Sequence, residues 1–113
     1  MKKIEAIIKP FKLSQVKDSL HELGISGMTL VDVKGFGRQR GSTGGIDTGD
    51  TYDDEFLAKM KLEVIVEDKQ VDEVIESIKS NAYSGKIGDG KIFVSNIEQV
   101  VRIRTGEKDS DAV

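Results

Sequence analysis

The sequence contains no cysteine, which excludes disulfides, zinc–thiolate sites and thiol catalysis together. Histidine occurs once, at His21, and a Ser-His-Asp arrangement would have to draw on it. It falls beside Glu22 on a predicted helix, off the apolar stripe, and reads as a solvated surface residue. A basic excess is also missing: 17 lysines and arginines stand against 20 carboxylates, for a net charge of −3. Nucleic acid is therefore not expected as a partner. No apolar run approaches a membrane span. The basic start, residues 1–9, is too short and too interrupted by Glu5 and Lys9 for a signal peptide. A cytoplasmic protein with no direct membrane insertion is expected. Proline too occurs once, at Pro10, where it ends the first predicted strand.

What is present fits one domain over residues 1–113, with a modest core. Ile4, Ala6 and Ile8 alternate with Lys3, Glu5, Ile7 and Lys9, the pattern of a half-buried strand. Leu13, Val16, Leu20 and Leu23 then recur at helical spacing, and Gly24 marks a helix end. Residues 28–36 carry Thr29, Val31 and Val33 and read as a second strand. From residue 37 to 55, "GRQRGSTGGIDTGDTYDDE" has no apolar period; loops this long are usually functional or disordered. A third strand is expected from Lys59, where Met60, Leu62, Val64 and Val66 alternate with Lys61, Glu63 and Ile65. Asp68 is the expected N-cap of a second helix bearing Val71, Val74, Ile75, Ile78 and Ala82. A fourth strand is expected from Lys91 to about Ile97. Gln99 to Thr105 reads as a short extended piece with Arg102 and Arg104 on one side, and "GEKDSDAV" as a frayed end.

The order predicts an α+β, ferredoxin-like βαββαβ fold: a four-stranded antiparallel sheet with both helices on one face and a long loop between strands two and three. The other face would carry Ile7, Ile65 and Phe93 among Lys3, Glu5, Lys61 and Glu63. A face so mixed fits burial against other copies, so a homo-oligomer is expected.

Three stretches could build a site. "GFGRQRG", residues 35–41, offers glycines for close backbone approach and donors on Arg38, Gln39 and Arg40; an ordinary glycine-rich turn is its plainer reading. "SGKIGDGKIF", residues 84–93, lacks the P-loop spacing. Its Gly85, Gly88 and Gly90 nonetheless let successive N–H groups converge on an anion. Lys86 and Lys91 add charge, and Asp89 could hold the turn; a helix-to-strand connector is the alternative. Arg102 and Arg104, at alternate positions, could meet phosphate, or be surface ion pairs. The carboxylates of Asp53, Asp54 and Glu55 match no cation loop and read as a solvated acidic run.

Together "IIKPFKL" (7–13), "VKGFGRQRG" (33–41), "GKIGDGKIF" (85–93) and "VRIRTGE" (101–107) closely resemble the PII family of nitrogen-regulatory signalling proteins, from Met1 to about Glu107. The resemblance implies a homotrimer with ATP or ADP between neighbouring subunits, and no catalytic residues. Its B-loop, about 83–91, would wrap the phosphates through Gly88, Asp89, Gly90 and Lys91. Gly35, Phe36, Gly37, Arg38 and Gln39 would join them from the same subunit, with Ile7 beside. Arg102 and Arg104, in a C-terminal segment of about 99–113, would reach in from the adjacent subunit. Gly27, Thr29, Glu63 and Ile65 match positions lining adenine and ribose. Gln39 matches the ligand of a magnesium ion held with ATP and 2-oxoglutarate, and Lys59 the lysine that pairs with a 2-oxoglutarate carboxylate. The T-loop, about 37–55, would contact protein targets such as an ammonium transporter or a metabolic enzyme.

The T-loop departs from the family's pattern. "STGGIDTGDTYDD" (42–54) is one residue longer than usual, Thr48 or a neighbour replaces the channel-plugging arginine, and acidic residues follow Tyr52, the candidate modification site. Ser84 replaces a threonine and keeps the hydroxyl. A slow ATP-hydrolysing enzyme in the same cleft, or a trimer serving a specialised partner or a different effector, are the competing readings.

Overall fold

A computed structural model of the chain describes residues 1–36 and 56–113. The expected T-loop, with Gly37, Arg38, Gln39, Arg40, Thr48, Tyr52, Asp53, Asp54 and Glu55, lies outside the described residues.

The elements run β1 (Lys2–Ile8), α1 (Leu13–Glu22), β2 (Thr29–Phe36), β3 (Phe56–Val66), α2 (Val71–Ala82) and β4 (Lys91–Asn96). The strands form one antiparallel sheet in the order β2-β3-β1-β4, the ferredoxin-like arrangement expected from the sequence. Register sorts the side chains strictly, because successive residues of a strand face opposite ways. Ile4 stands opposite Val64 and Val94, and Ala6 opposite Leu62 and Ile92. Apart from the exposed Val94, these apolar positions meet Val16 and Leu20 of α1 and Val74, Ile78 and Ala82 of α2 in a single core. The helices are also joined by a hydrogen bond between the Ser19 and Ser77 hydroxyls.

The second face of the sheet carries no helix among the described residues. The same register puts Lys3, Glu5, Ile7, Lys61, Glu63, Ile65 and Phe93 on it together, as expected from the alternation. Glu5 lies directly opposite Glu63, a repulsive pairing across strands. Each carboxylate is offset by the lysine two residues before it: Lys3 Nζ is 3.0 Å from Glu5 Oε1, and Lys61 Nζ is 3.4 Å from Glu63 Oε2. The Glu5 carboxylate, by hydrogen bond and charge, raises the pKa of Lys3.

Three local expectations need correction. β3 begins at Phe56, not Lys59; its first residues pair with the end of β2, Phe36 opposite Phe56, with ring centroids 5.4 Å apart. Asp68 does not cap the second helix. The chain enters α2 through a 3₁₀ turn, Asp68–Gln70, with Glu67 as the capping residue. Glu67 N–H donates to Gln70 Oε1 at 3.0 Å, while Asp68 Oδ1 accepts from the Met1 amine at 2.8 Å. Because Gln70 closes a reciprocal capping box, Gln70→Ala is expected to lower stability by about 1 kcal/mol. Urea melts should show this as a shifted midpoint at unchanged slope.

The C-terminal segment is not frayed either. Val101 bridges to Lys108, Arg102 N–H donates to Glu107 O at 2.8 Å, and Asp109 N–H to Val100 O at 2.9 Å. A 3₁₀ turn follows at Asp109–Asp111. Residues 100–109 thus form a small hairpin with Ile103 fully exposed at its turn. No helix among the described residues is long and apolar enough to cross a membrane.

Candidate functional site

Most of the site residues within the described chain gather at two ends of the second face of the sheet. At one end, Gly27, Thr29, Glu63 and Ile65 line a cleft of about 510 Å³. Thr29 and Glu63 are cross-strand partners, Ile65 stands opposite Lys3, and Gly27 lies in the link between α1 and β2. The wall is completed by Gln70, Val100, Ala112 and Val113, among others. The last three were missed by sequence reasoning, which read Val100 as part of a short extended piece and the end of the chain, with Ala112 and Val113, as frayed. The volume is that of a small-molecule site, and its charged wall residue, Glu63, suits hydroxyl or amino donors rather than phosphate.

The other end is built around the glycine loop between α2 and β4. Ile7 stands opposite Lys61 on one side and Lys91 on the other. Gly90 (φ +99°) comes so close to β1 that a Cβ there would lie 1.6 Å from the Ile7 carbonyl oxygen. Only glycine allows this approach. Asp89 turns its carboxylate inward. Oδ2 accepts from the N–H of Ser84 at 2.8 Å and of Gly85 at 3.0 Å. Oδ1 accepts from the Ser84 hydroxyl and lies 3.2 Å from Lys9 Nζ. Burial alone would raise this carboxyl's pKa; the bonds from Ser84, Gly85 and Lys9 overcome it and hold the group far below the usual carboxylate range. The Asp89 side chain therefore fastens its own loop. Among the expected phosphate-binding residues it is a brace, which leaves the backbone of Gly88 and Gly90 and the side chain of Lys91 as the surfaces offered to a ligand.

Lys59 approaches the same loop from β3. Its Nζ donates to the Gly88 carbonyl at 2.5 Å, and the side chain is almost wholly buried. Gly35, on the neighbouring strand, gives it room: a Cβ there would touch Lys59 Cγ at 3.2 Å. Burial, then the nearby Lys9 ammonium, lower the Lys59 pKa, with Asp89 opposing.

Three expected members stand apart. Phe36 points to the face opposite Gly35, as strand alternation requires, and is half exposed beside Phe56. Arg102 and Arg104 do not share the side of an extended segment, because residues 103–105 turn. Arg102 Nη1 lies 3.6 Å from Glu107 Oε1 within its own hairpin, and Arg104 is exposed. The hairpin reaches the cleft through Val100, whereas the glycine loop sits four residues away along β1, at Ile7 rather than Lys3. That is roughly 13 Å of strand. Among the described residues no cluster of three His, Cys, Asp or Glu could hold a metal ion.

A βαββαβ domain with a cleft on its open sheet face defines the class, and comparison with known proteins makes it specific. A family model described as nitrogen regulatory protein P-II matches residues 1–107. The nitrogen regulatory proteins P-II of Azospirillum brasilense and Pasteurella multocida are each 58% identical to the chain over 113 residues, covering 100% of both sequences in each pair. A crystal structure of Arabidopsis thaliana PII bound to citrate superposes with a TM-score of 0.82 at 41% identity, covering 99% of this chain and 91% of that one. The chain belongs to the nitrogen regulatory protein P-II family, whose members are regulators and not enzymes.

Proposed function

We propose that the protein is a homotrimeric sensor of adenine nucleotides that regulates nitrogen metabolism through contacts of its T-loop with protein targets. The observation that carries this reading is the cleft: Gly27, Thr29, Glu63 and Ile65, far apart in sequence, line it together. An acidic wall at one end of the face and the cationic glycine loop at the other match the polarity of a nucleotide, whose base and ribose donate hydrogen bonds and whose phosphates accept them. Within one chain the two ends are too far apart for a single compact grip. Two neighbouring copies complete it, one supplying the Gly88–Lys91 loop with Ile7 and Gly35, the other the cleft with Arg102 and Arg104.

A dicarboxylate keto acid, 2-oxoglutarate, is the expected second effector, drawn to the Lys59 ammonium. A relative of the same fold bound to citrate supports a polycarboxylate as a ligand class. Magnesium enters only with the triphosphate and Gln39. Ligand combinations then bias the T-loop among conformations that suit different targets.

Isothermal titration tests the reading. Wild type is expected to bind ATP and ADP, and Glu63→Gln to weaken ATP several-fold while leaving inorganic tripolyphosphate unaffected. Failure of wild type to bind either nucleotide at millimolar concentration overturns it. Sedimentation should give a trimer; a monomer at micromolar concentration would remove the shared site.

A further inference from the structure

The glycine loop has a lysine partner, outside the loop itself, that the sequence reading left unassigned. Lys9 follows the last residue of β1 and is only 6% exposed. An ammonium has three protons to place. Two are accounted for by Ser84 Oγ at 3.1 Å and Asp89 Oδ1 at 3.2 Å. Lys9 therefore sits beneath the loop, held to it by two of its three protons and almost closed to solvent. Ser84 relays the connection, since its hydroxyl donates to Asp89 and also accepts the Lys86 N–H at 3.3 Å. Asp89 lies between Gly88 (φ +97°) and Gly90 (φ +99°), so whatever fixes its carboxylate fixes the direction of the peptide groups on both sides. Asp89 would also repel an approaching polyanion, and a buried cation against it cancels that charge where screening by water is weakest.

We propose that Lys9 is a positioning residue for polyphosphate binding: through the Asp89 carboxylate and the Ser84 hydroxyl it sets the Gly88–Gly90 backbone in its ligand-accepting shape without touching the ligand. The inference rests on the nucleotide reading above. It differs from a direct phosphate contact, because the effect of removing Lys9 runs through Asp89 and vanishes when Asp89 is already altered.

Calorimetry with inorganic tripolyphosphate and ATP, on wild type, Lys9→Met, Asp89→Asn and the double variant, tests this. Lys9→Met is expected to weaken both ligands about tenfold, the scale set by losing a charge-assisted hydrogen bond. Adenosine, followed by NMR shifts of the cleft residues, should bind within twofold of wild type. In the double variant the two losses should fail to add, giving an affinity no poorer than the worse single variant. Lys9→Met binding tripolyphosphate as wild type does, or two losses that add in full, overturns the positioning role while leaving the nucleotide reading intact. Wild type that binds neither ATP nor tripolyphosphate sinks both. If Lys9→Met fails to fold by circular dichroism, Ser84→Ala carries the test, since it takes one donor from the same carboxylate and leaves no buried charge alone. A loss of about threefold for tripolyphosphate, with adenosine unchanged, supports the proposal, and no loss overturns it.

Discussion

Gly90→Ala is expected to lower stability by about 3 kcal/mol or more and to abolish polyphosphate binding. Two effects combine. A residue with a Cβ is strained by roughly 1–2 kcal/mol in the left-handed region, and Gly90 sits there at φ +99°. The new methyl would also lie 1.6 Å from the Ile7 carbonyl oxygen, a backbone atom paired into the sheet that has nowhere to retreat, and overpacking of this kind adds about 1–3 kcal/mol. The loop must lift from β1, taking the Gly88–Gly90 peptide groups with it. Thermal melts should show a midpoint lower by roughly 10 °C. Gly106→Ala is the control. It too has a positive φ, +74°, but nothing lies within 4 Å of the added atom, so only the conformational part, about 1 kcal/mol, applies. Equal losses at the two positions would mean that the contact with Ile7 does not govern the loop.

The second large effect is expected from Asp89→Ala. The substitution strips partners from the Ser84 and Gly85 N–H groups and leaves the Lys9 ammonium buried without its carboxylate. Breaking one side of such a part-buried pair costs about 2–4 kcal/mol. The same group gives a pH signature. Its pKa is lower in the folded protein than in the unfolded chain, so the unfolded state binds the proton more readily. The stabilisation is complete above the ordinary carboxylate pKa of about 4 and is lost progressively as pH falls below that value toward the folded one. Melting midpoints of wild type should therefore drop between pH 5 and pH 2 more steeply than those of Asp89→Asn. Parallel curves would show that the carboxylate is not the brace described.

The sheet and both helices were legible in the sequence because each follows from a period. Ile4, Ala6 and Ile8 could only be one face of a strand, and Val71, Val74, Ile78 and Ala82 one stripe of a helix. The membership of the cleft was legible only through resemblance, since nothing local about Gly27 or Glu63 announces a ligand. Features held by backbone bonds left no such trace. The hairpin of residues 100–109 has no apolar alternation, so its second half read as a frayed tail and its arginines as neighbours on an extended chain. Lys9 was overlooked for a different reason. A lysine at the end of a strand reads as solvated, and its burial depends on a loop about eighty residues later in the chain folding back over it. Asp68 looked like a cap because the helix pattern begins after it, but the intervening 3₁₀ turn moves that role to Glu67.

The strand order has a consequence for biosynthesis. β1, the first of these four strands to be made, ends up between β3 and β4, with Lys2 paired to Val66 on one side and Asn96 on the other. On an emerging nascent chain it finds no ladder partner until translation has passed residue 66, and it is not flanked on both sides until β4 arrives. Through that interval Ile4, Ala6 and Ile8 have only α1 to cover them, so early ribosome-bound intermediates expose the very edge that the finished molecule hides at its centre.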